Sequence, residues 1–247
     1  QVQPLLDKLY QTECLKCGNE NAVVTHTIWE DGVPKEVWYE CSSCKTRKDI
    51  RVATKKDSVA ALTPCISPAW YPNNQLLENG RVNVKSGMKV DDLFTQRALT
   101  ALSILLEKIN QIDDIDIKNA MRFCFSAALP QASNMVFVIR RRGKTTGNNN
   151  KSKAEVGSWV IGYWVPKEHF EINAWRCFEN RFKRIVRGKK EVNSVIPLSA
   201  HQFKSVEELL QEPEGYVLEK GSATNLSIPD STIDYALIDP PHGNRIP

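Results

Sequence analysis

Two cysteine pairs have the spacing of a metal site. Cys14-Leu-Lys-Cys17 and Cys41-Ser-Ser-Cys44 are CxxC units separated by 23 residues. Each can fold into a tight turn that aims two sulfurs at one point, and two such turns give tetrahedral coordination by four sulfurs, which suits zinc. Gly18 follows the first pair, where the turn can need a positive φ. Four protein thiolates leave no open position for water or substrate, so the zinc is expected to be structural. Two disulfides, a redox CxxC and an iron–sulfur cluster are the competing uses. A chain without a secretion signal argues against the first, and one pair would suffice for the second. Cys65, Cys124 and Cys177 stand alone, and Cys124 lies in the apolar run Met121-Arg-Phe-Cys-Phe125, a core position.

The other chemistry-bearing run is Asp239-Pro240-Pro241-His242. The apolar stretch before it reads as a buried strand over 233–238, so the acid falls at a strand's carboxyl end, where ligands bind in open α/β sheets. The prolines stiffen the turn and remove two N–H groups while leaving their carbonyls free to accept. Asp239 can accept a hydrogen bond from an exocyclic amino group, the Pro240 carbonyl can accept the second hydrogen, and a flat side chain at 242 can stack on the base. A base must leave its duplex stack to reach such a site. An ordinary Asp-Pro-Pro turn is the competing reading.

The elements that must position these residues follow from pattern. Ala22 to Glu30 and Lys35 to Glu40 are β-rich and flank Asp31-Gly32, a hairpin signal, with Trp29, Trp38 and Tyr39 to pack the ribbon. Pro64, Pro68 and Pro72 mark a breaker-rich connection. A helix capped by Asp91 or Asp92 carries Leu93, Phe94, Ala98, Leu102, Leu105, Leu106 and Ile109 at helical spacing. A second helix covers Ile115 to Leu129 and stops near Pro130. Strands are expected at Met135–Arg140, Ser158–Val165, Tyr216–Glu219 and Ile233–Ile238, and helices at Glu171–Val186 and Val206–Leu210.

The net charge of +4 conceals a segregated distribution. The polar loop 140–153 carries Arg140, Arg141, Arg142, Lys144, Lys151 and Lys153 and no acid, and 176–190 carries seven basic residues, among them Arg181, Lys183 and Arg184, against Glu179 alone. Acids gather at 113–116 and 207–214. Such a separation suggests a basic surface for a phosphate backbone, with a solvated helix face and loop as the competing reading. Lys16, Lys45, Arg47, Lys48 and Arg51 offset the charge of a zinc–thiolate centre and can face phosphates too.

Asp239-Pro-Pro-His242 resembles the (Asp/Asn/Ser)-Pro-Pro-aromatic motif of amino-group methyltransferases that use S-adenosylmethionine, and Tyr216-Val-Leu-Glu-Lys-Gly-Ser-Ala-Thr-Asn-Leu226 resembles the preceding strand and loop of that fold. The longer resemblance is to bacterial and archaeal DNA methylases with an inserted zinc ribbon. It is carried by Cys14-Leu-Lys-Cys-Gly18, Trp29-Glu-Asp-Gly32, Asp92-Leu-Phe-Thr-Gln-Arg-Ala-Leu99, Ser158-Trp-Val-Ile-Gly-Tyr-Trp164 and Asp239-Pro-Pro-His-Gly243. This resemblance implies an α/β fold with an α+β insert. By this resemblance, residues 1–64 are expected to form the zinc ribbon and linker, 65–212 a mixed α/β DNA-recognition region, and 213–247 part of a Rossmann-like catalytic sheet. It implies S-adenosylmethionine beside Ser222, Ala223 and Asn225, a catalytic role for Asp239, Pro240, Pro241 and His242, and DNA contacts from Arg140, Arg141, Arg142, Lys144, Arg181, Lys183 and Arg184. Adenine N6 is favoured over cytosine N4 as the target, in the setting of DNA modification and restriction.

The sequence departs from that family in three places. His242 replaces the usual Tyr, Phe or Trp, the twelve glycines are scattered with no glycine-rich cofactor loop, and no sheet strands follow the motif. The expected partners are therefore DNA and the remainder of the methyltransferase, and this chain alone is expected neither to bind the cofactor well nor to methylate. A non-catalytic zinc-ribbon nucleic-acid-binding module and an RNA or protein amino-methyltransferase remain as alternatives. The 247 residues, 41% hydrophobic and 25% charged, exclude collagen, long disorder and a disulfide miniprotein. With no signal peptide and no apolar run near the about 18 residues of a membrane span, the expected location is the cytoplasm.

Overall fold

The computed structural model describes residues 2–63, 69–141, 153–159, 162–195, 201–212 and 214–239. The chain divides into two compact units, 1–184 and 185–247.

The first unit is built on a curled antiparallel sheet. After α1 (Gln3–Asp7) and a 3-10 turn come β1 (Gln11–Thr12), β2 (Ala22–Glu30), β3 (Val33–Cys41), β4 (Thr46–Val52) and α2 (Lys55–Leu62). Then follow α3 (Gln96–Asn110), α4 (Ile115–Ala132), β5 (Val136–Arg141), β6 (Lys153–Trp159), β7 (Glu168–Ile172) and the first part of α5 (Ala174–Val195). The strand order is β4-β3-β2-β7-β5-β6, with β1 on β2. Bulges interrupt β2 at Val24/His26 and Ile28/Trp29 and the β3–β4 pairing at Tyr39/Cys41, and bulges strengthen the local twist of a sheet. Because β2 pairs with both β3 and β7, the sheet crosses the boundary expected at 64/65.

The β2–β3 hairpin turns at Asp31 (φ 49) and Gly32 (φ 76), the two left-handed residues a two-residue hairpin turn requires. One sheet face carries Ile28, Phe170 and Trp38, all buried, with Phe170 edge-on to Trp38 at 5.1 Å. The other face holds a buried ion pair. Arg97 of α3 donates from Nε to Glu171 Oε1 (2.8 Å), and from Nη2 to Glu171 Oε2 (2.9 Å) and Thr27 Oγ1 (3.0 Å). Trp29 Nε1 donates to Glu171 Oε2 at 2.9 Å, and the Arg97 guanidinium lies 4.6 Å from the Tyr10 ring. The network joins α3, β2 and β7 with its charges paired, which is what a buried ion pair needs to persist.

Several boundaries differ from the sequence expectation. The cap of α3 is Thr95, whose hydroxyl accepts from Ala98 N, while Asp91 and Asp92 sit in a preceding 3-10 turn. Helix α4 runs past Pro130 to Ala132, so the proline lies within its last turn. Glu171 and Ile172 lie in β7 rather than in a helix. Asn173 ends the strand: its Nδ2 donates to Val24 O (3.1 Å), and its Oδ1 accepts from Arg176 N (3.2 Å), capping α5. Strand β6 ends at Trp159, and left-handed Gly162 (φ 95) and Tyr163 (φ 50) belong to a turn.

The second unit contains the end of α5, then β8 (His201–Phe203), α6 (Val206–Gln211) and β9 (Gly215–Val217). β8 and β9 pair in parallel, across the boundary expected at 212/213, and α6 makes the crossover. Gly215 permits this pairing: a Cβ there would stand 2.3 Å from the Phe203 ring and 2.4 Å from the His201 carbonyl oxygen. Residues 233–239 form no strand in the described structure, and Ile233, Tyr235, Leu237 and Ile238 are exposed. A doubly covered parallel strand needs neighbours on both sides and layers above and below, and β8–β9 supplies one pair of short strands. The sheet that is seen is thus antiparallel in the first unit, and a Rossmann-like sheet is not among the described elements.

Candidate metal centre

The four expected ligands converge. The ligand sulfurs of Cys14, Cys17, Cys41 and Cys44 all lie within 4.8 Å of one another. Cys14 Sγ is 3.6 Å from Cys44 Sγ, and Cys17 Sγ is 3.7 Å from Cys41 Sγ. A zinc–sulfur bond of about 2.3 Å gives a tetrahedron edge of about 3.8 Å, so these spacings fit a zinc-sized ion. No disulfide joins them.

Two similar turns bring the pairs together. In the first, Gly18 N donates to Cys14 O (2.8 Å), Cys14 N donates to Asn19 O (2.9 Å), and Gly18 takes φ 70. In the second, Cys41 ends β3, Cys44 precedes β4, and Lys45 N donates to Ser42 O (3.3 Å). Lys45 has φ 56 and thus plays the part of Gly18 at a backbone cost of about 1–2 kcal/mol. Tyr39, fully buried, ties the first turn to β4: its hydroxyl accepts from Leu15 N (3.2 Å) and donates to Asp49 Oδ2 (3.0 Å). Burial pushes the Tyr39 phenol up to about 12, so it stays a donor. Behind the site, Asp57 accepts from Thr12, Thr54 and Arg51 and closes a capping box at the start of α2.

The donors around the sulfurs favour thiolate at one pair. The backbone N–H of Cys44 holds Cys41 down to about 6, opposed by burial and assisted by Asn19. Asn19 Nδ2 is 3.7 Å from Cys41 Sγ. Cys44 is lowered as well, first by the Thr46 side chain, whose Oγ1 is 3.1 Å from its sulfur. Cys17 is lowered by the Asn19 backbone but raised more by burial and the neighbouring sulfurs, to about 12. A cation in the middle replaces those shared protons with four metal bonds. Asn19, Tyr39, Thr46 and Asp49 support the site without being ligands. Asn19 and Thr46 each lie two residues beyond a cysteine pair, and that spacing is the sequence signal that finds them.

The basic residues near the site are variously engaged. Arg51 is turned inward to Asp57, so it faces no phosphate. Lys16 lies 3.7 Å from Asp49, Lys48 stacks over Trp38, and Lys45 and Arg47 are exposed. Farther away, Arg140 of β5 is paired with Glu168. Arg141 ends β5, and Arg142 and Lys144 lie outside the described residues. On α5, Arg181 donates to Gln131 Oε1 (3.2 Å), Lys183 pairs with Glu179 (2.9 Å), and Arg184 is exposed.

Ser222, Ala223 and Asn225 form an exposed turn in which Asn225 N donates to Ser222 O (3.0 Å). An exposed turn encloses no nucleoside by itself. Asp239 is exposed, and Pro240, Pro241 and His242 lie outside the described residues. Among the isolated cysteines, Cys124 and Cys177 are buried, and burial pushes the Cys177 thiol up to about 12. Cys65 lies outside the described residues. Among the described residues no helix is long and apolar enough to cross a membrane. No family model, curated protein or solved structure matches the chain.

Proposed function

We propose that this chain is the zinc-stabilised, DNA-handling part of an S-adenosylmethionine-dependent DNA amino-methyltransferase, with adenine N6 favoured over cytosine N4. The observation that carries the reading is the order of features between 201 and 239: a parallel strand–helix–strand unit, a Ser222–Asn225 turn, then an apolar run ending in Asp239. Parallel pairing through a helix is the building unit of an α/β sheet, and ligands of such sheets bind beyond the strands' carboxyl ends. In this reading Asp239 and the Pro240 carbonyl accept the two hydrogens of the target amino group and turn its lone pair outward, while His242 stacks on the base. S-adenosylmethionine supplies the methyl group, and holding it requires residues beyond the exposed Ser222–Asn225 turn.

The four-cysteine cluster serves as a closed structural zinc site that fixes the ends of β2, β3 and β4. In the second unit's part of α5, Arg187, Lys189 and Lys190 are exposed, suited to a phosphate backbone. A second reading, a zinc-bearing nucleic-acid-binding module without catalysis, is favoured by the exposure of Ile233, Tyr235, Leu237 and Ile238 and by the absence of a strand over 233–239 in the described structure. Labelled-methyl transfer to duplex DNA, by protein expressed from its complete reading frame, separates the two. Transfer that Asp239→Ala removes supports the enzyme, whereas salt-sensitive DNA binding with no transfer supports the module.

A further inference from the structure

We infer that the cavity between α3 and α4 is a binding site for a small flat organic cation, an aryl-ammonium. The cavity is about 260 Å³ and is walled by the rings of Trp70, Tyr71, Phe94 and Phe125 and by leucines of both helices. The Ser103 hydroxyl at its wall donates to the Thr100 carbonyl (3.0 Å), so it is engaged within the helix. This space therefore suits an apolar ring.

A second space of about 230 Å³ shares Trp70, Ser103 and Leu106 with the first and adds Glu107, Asn110 and Gln111. Together they reach the size of small-molecule sites. The two amide oxygens there are engaged: Asn110 Oδ1 accepts from Arg122 (3.1 and 2.8 Å), and Gln111 Oε1 accepts from Lys108 (3.0 Å). Neither Lys108 nor Arg122 lines either space. Among the described residues, Glu107 is the one charged group lining the two spaces, and no ion pair holds its carboxylate. Trp70 borders both spaces and is 68% exposed. An open indole face beside a free carboxylate attracts cations, through the ring quadrupole and the charge respectively. The geometry thus selects an aromatic ring for the apolar space and an ammonium for the one that Glu107 lines.

Calorimetric titration of the 247-residue chain with tryptamine, indole and indole-3-acetate tests the site with one ring and three charges. Tryptamine is expected to bind about tenfold more tightly than indole-3-acetate, with indole between, given the modest strength of exposed cation–π and ion-pair contacts. Glu107→Gln is expected to bring tryptamine closer to the indole level, the ring contribution remaining, and Trp70→Ala to weaken all three ligands. Both positions are exposed, so neither change threatens the fold. The inference is overturned if no ligand saturates at millimolar concentration, if indole-3-acetate equals tryptamine, or if Glu107→Gln leaves tryptamine binding unchanged.

Discussion

Cys17→Ala tests the metal centre with little collateral damage. Cys17 is the exposed member of the cluster, so truncating it leaves no core cavity, yet its sulfur stands 3.7 Å from Cys41 as one edge of the tetrahedron. Apparent zinc binding to structural sites amounts to about 10–16 kcal/mol. Divided over four thiolates, that is about 2.5–4 kcal/mol for one ligand, or a roughly hundred- to thousandfold weaker affinity. Elemental analysis is expected to find one zinc per wild-type chain, and competition against a chromogenic chelator is expected to show the drop in the variant. Ser42→Ala, at an exposed residue of the second turn, is the control expected to bind normally. Tetrahedral cobalt spectra of the wild type, altered in Cys17→Ala, would identify thiolate ligands directly. Near-zero zinc in undamaged wild type, or affinity within about threefold after Cys17→Ala, refutes the reasoning.

Three further outcomes are expected. Arg97→Met leaves Glu171 charged and unpaired in the core, and urea unfolding should show a loss of about 3–5 kcal/mol; a loss below about 1 kcal/mol contradicts the network's role. His26 is held at about 3 in the folded state, first by burial and then by Arg176 and Lys48, against an unfolded value near 6.5. The unfolded chain therefore binds the extra proton, and stability should be full above about pH 6.5 and fall as pH drops toward 3. Thermal scans should show a weaker pH dependence in that window for His26→Phe, and an unchanged profile removes His26 from the acid response. The triple variant Arg181→Ala, Lys183→Ala, Arg184→Ala should weaken DNA binding across sequences and flatten its dependence on salt; unchanged affinity returns those side chains to a solvated surface.

Local chemistry made the metal centre legible. The ligands, the positive φ at Gly18 and the Asp31-Gly32 turn each need only neighbours in sequence. Lys45 escaped because a non-glycine residue fills the second left-handed position. The long-range pairing was hidden: Arg97 meets Glu171 and Thr27 across more than 60 residues, |i−j| being 74 and 70, and neither carboxylate nor guanidinium announces its partner in sequence. The same distance explains β7. Phe170, Glu171 and Ile172 extend a helical-looking run, and only pairing with β2, with Asn173 as a cap, makes them a strand. Over 233–238 the apolar pattern that reads as a buried strand meets no partner strand among the described elements, so the pattern alone does not fix its conformation.

The most direct test of the methyltransferase reading is mass spectrometry of nucleosides from duplex DNA incubated with S-adenosylmethionine and protein expressed from its complete reading frame. The expected result is N6-methyladenine with the wild type and none with Asp239→Ala, at equal DNA affinity. Undiminished methylation by Asp239→Ala, or no methylated nucleoside from the folded wild type, would contradict it.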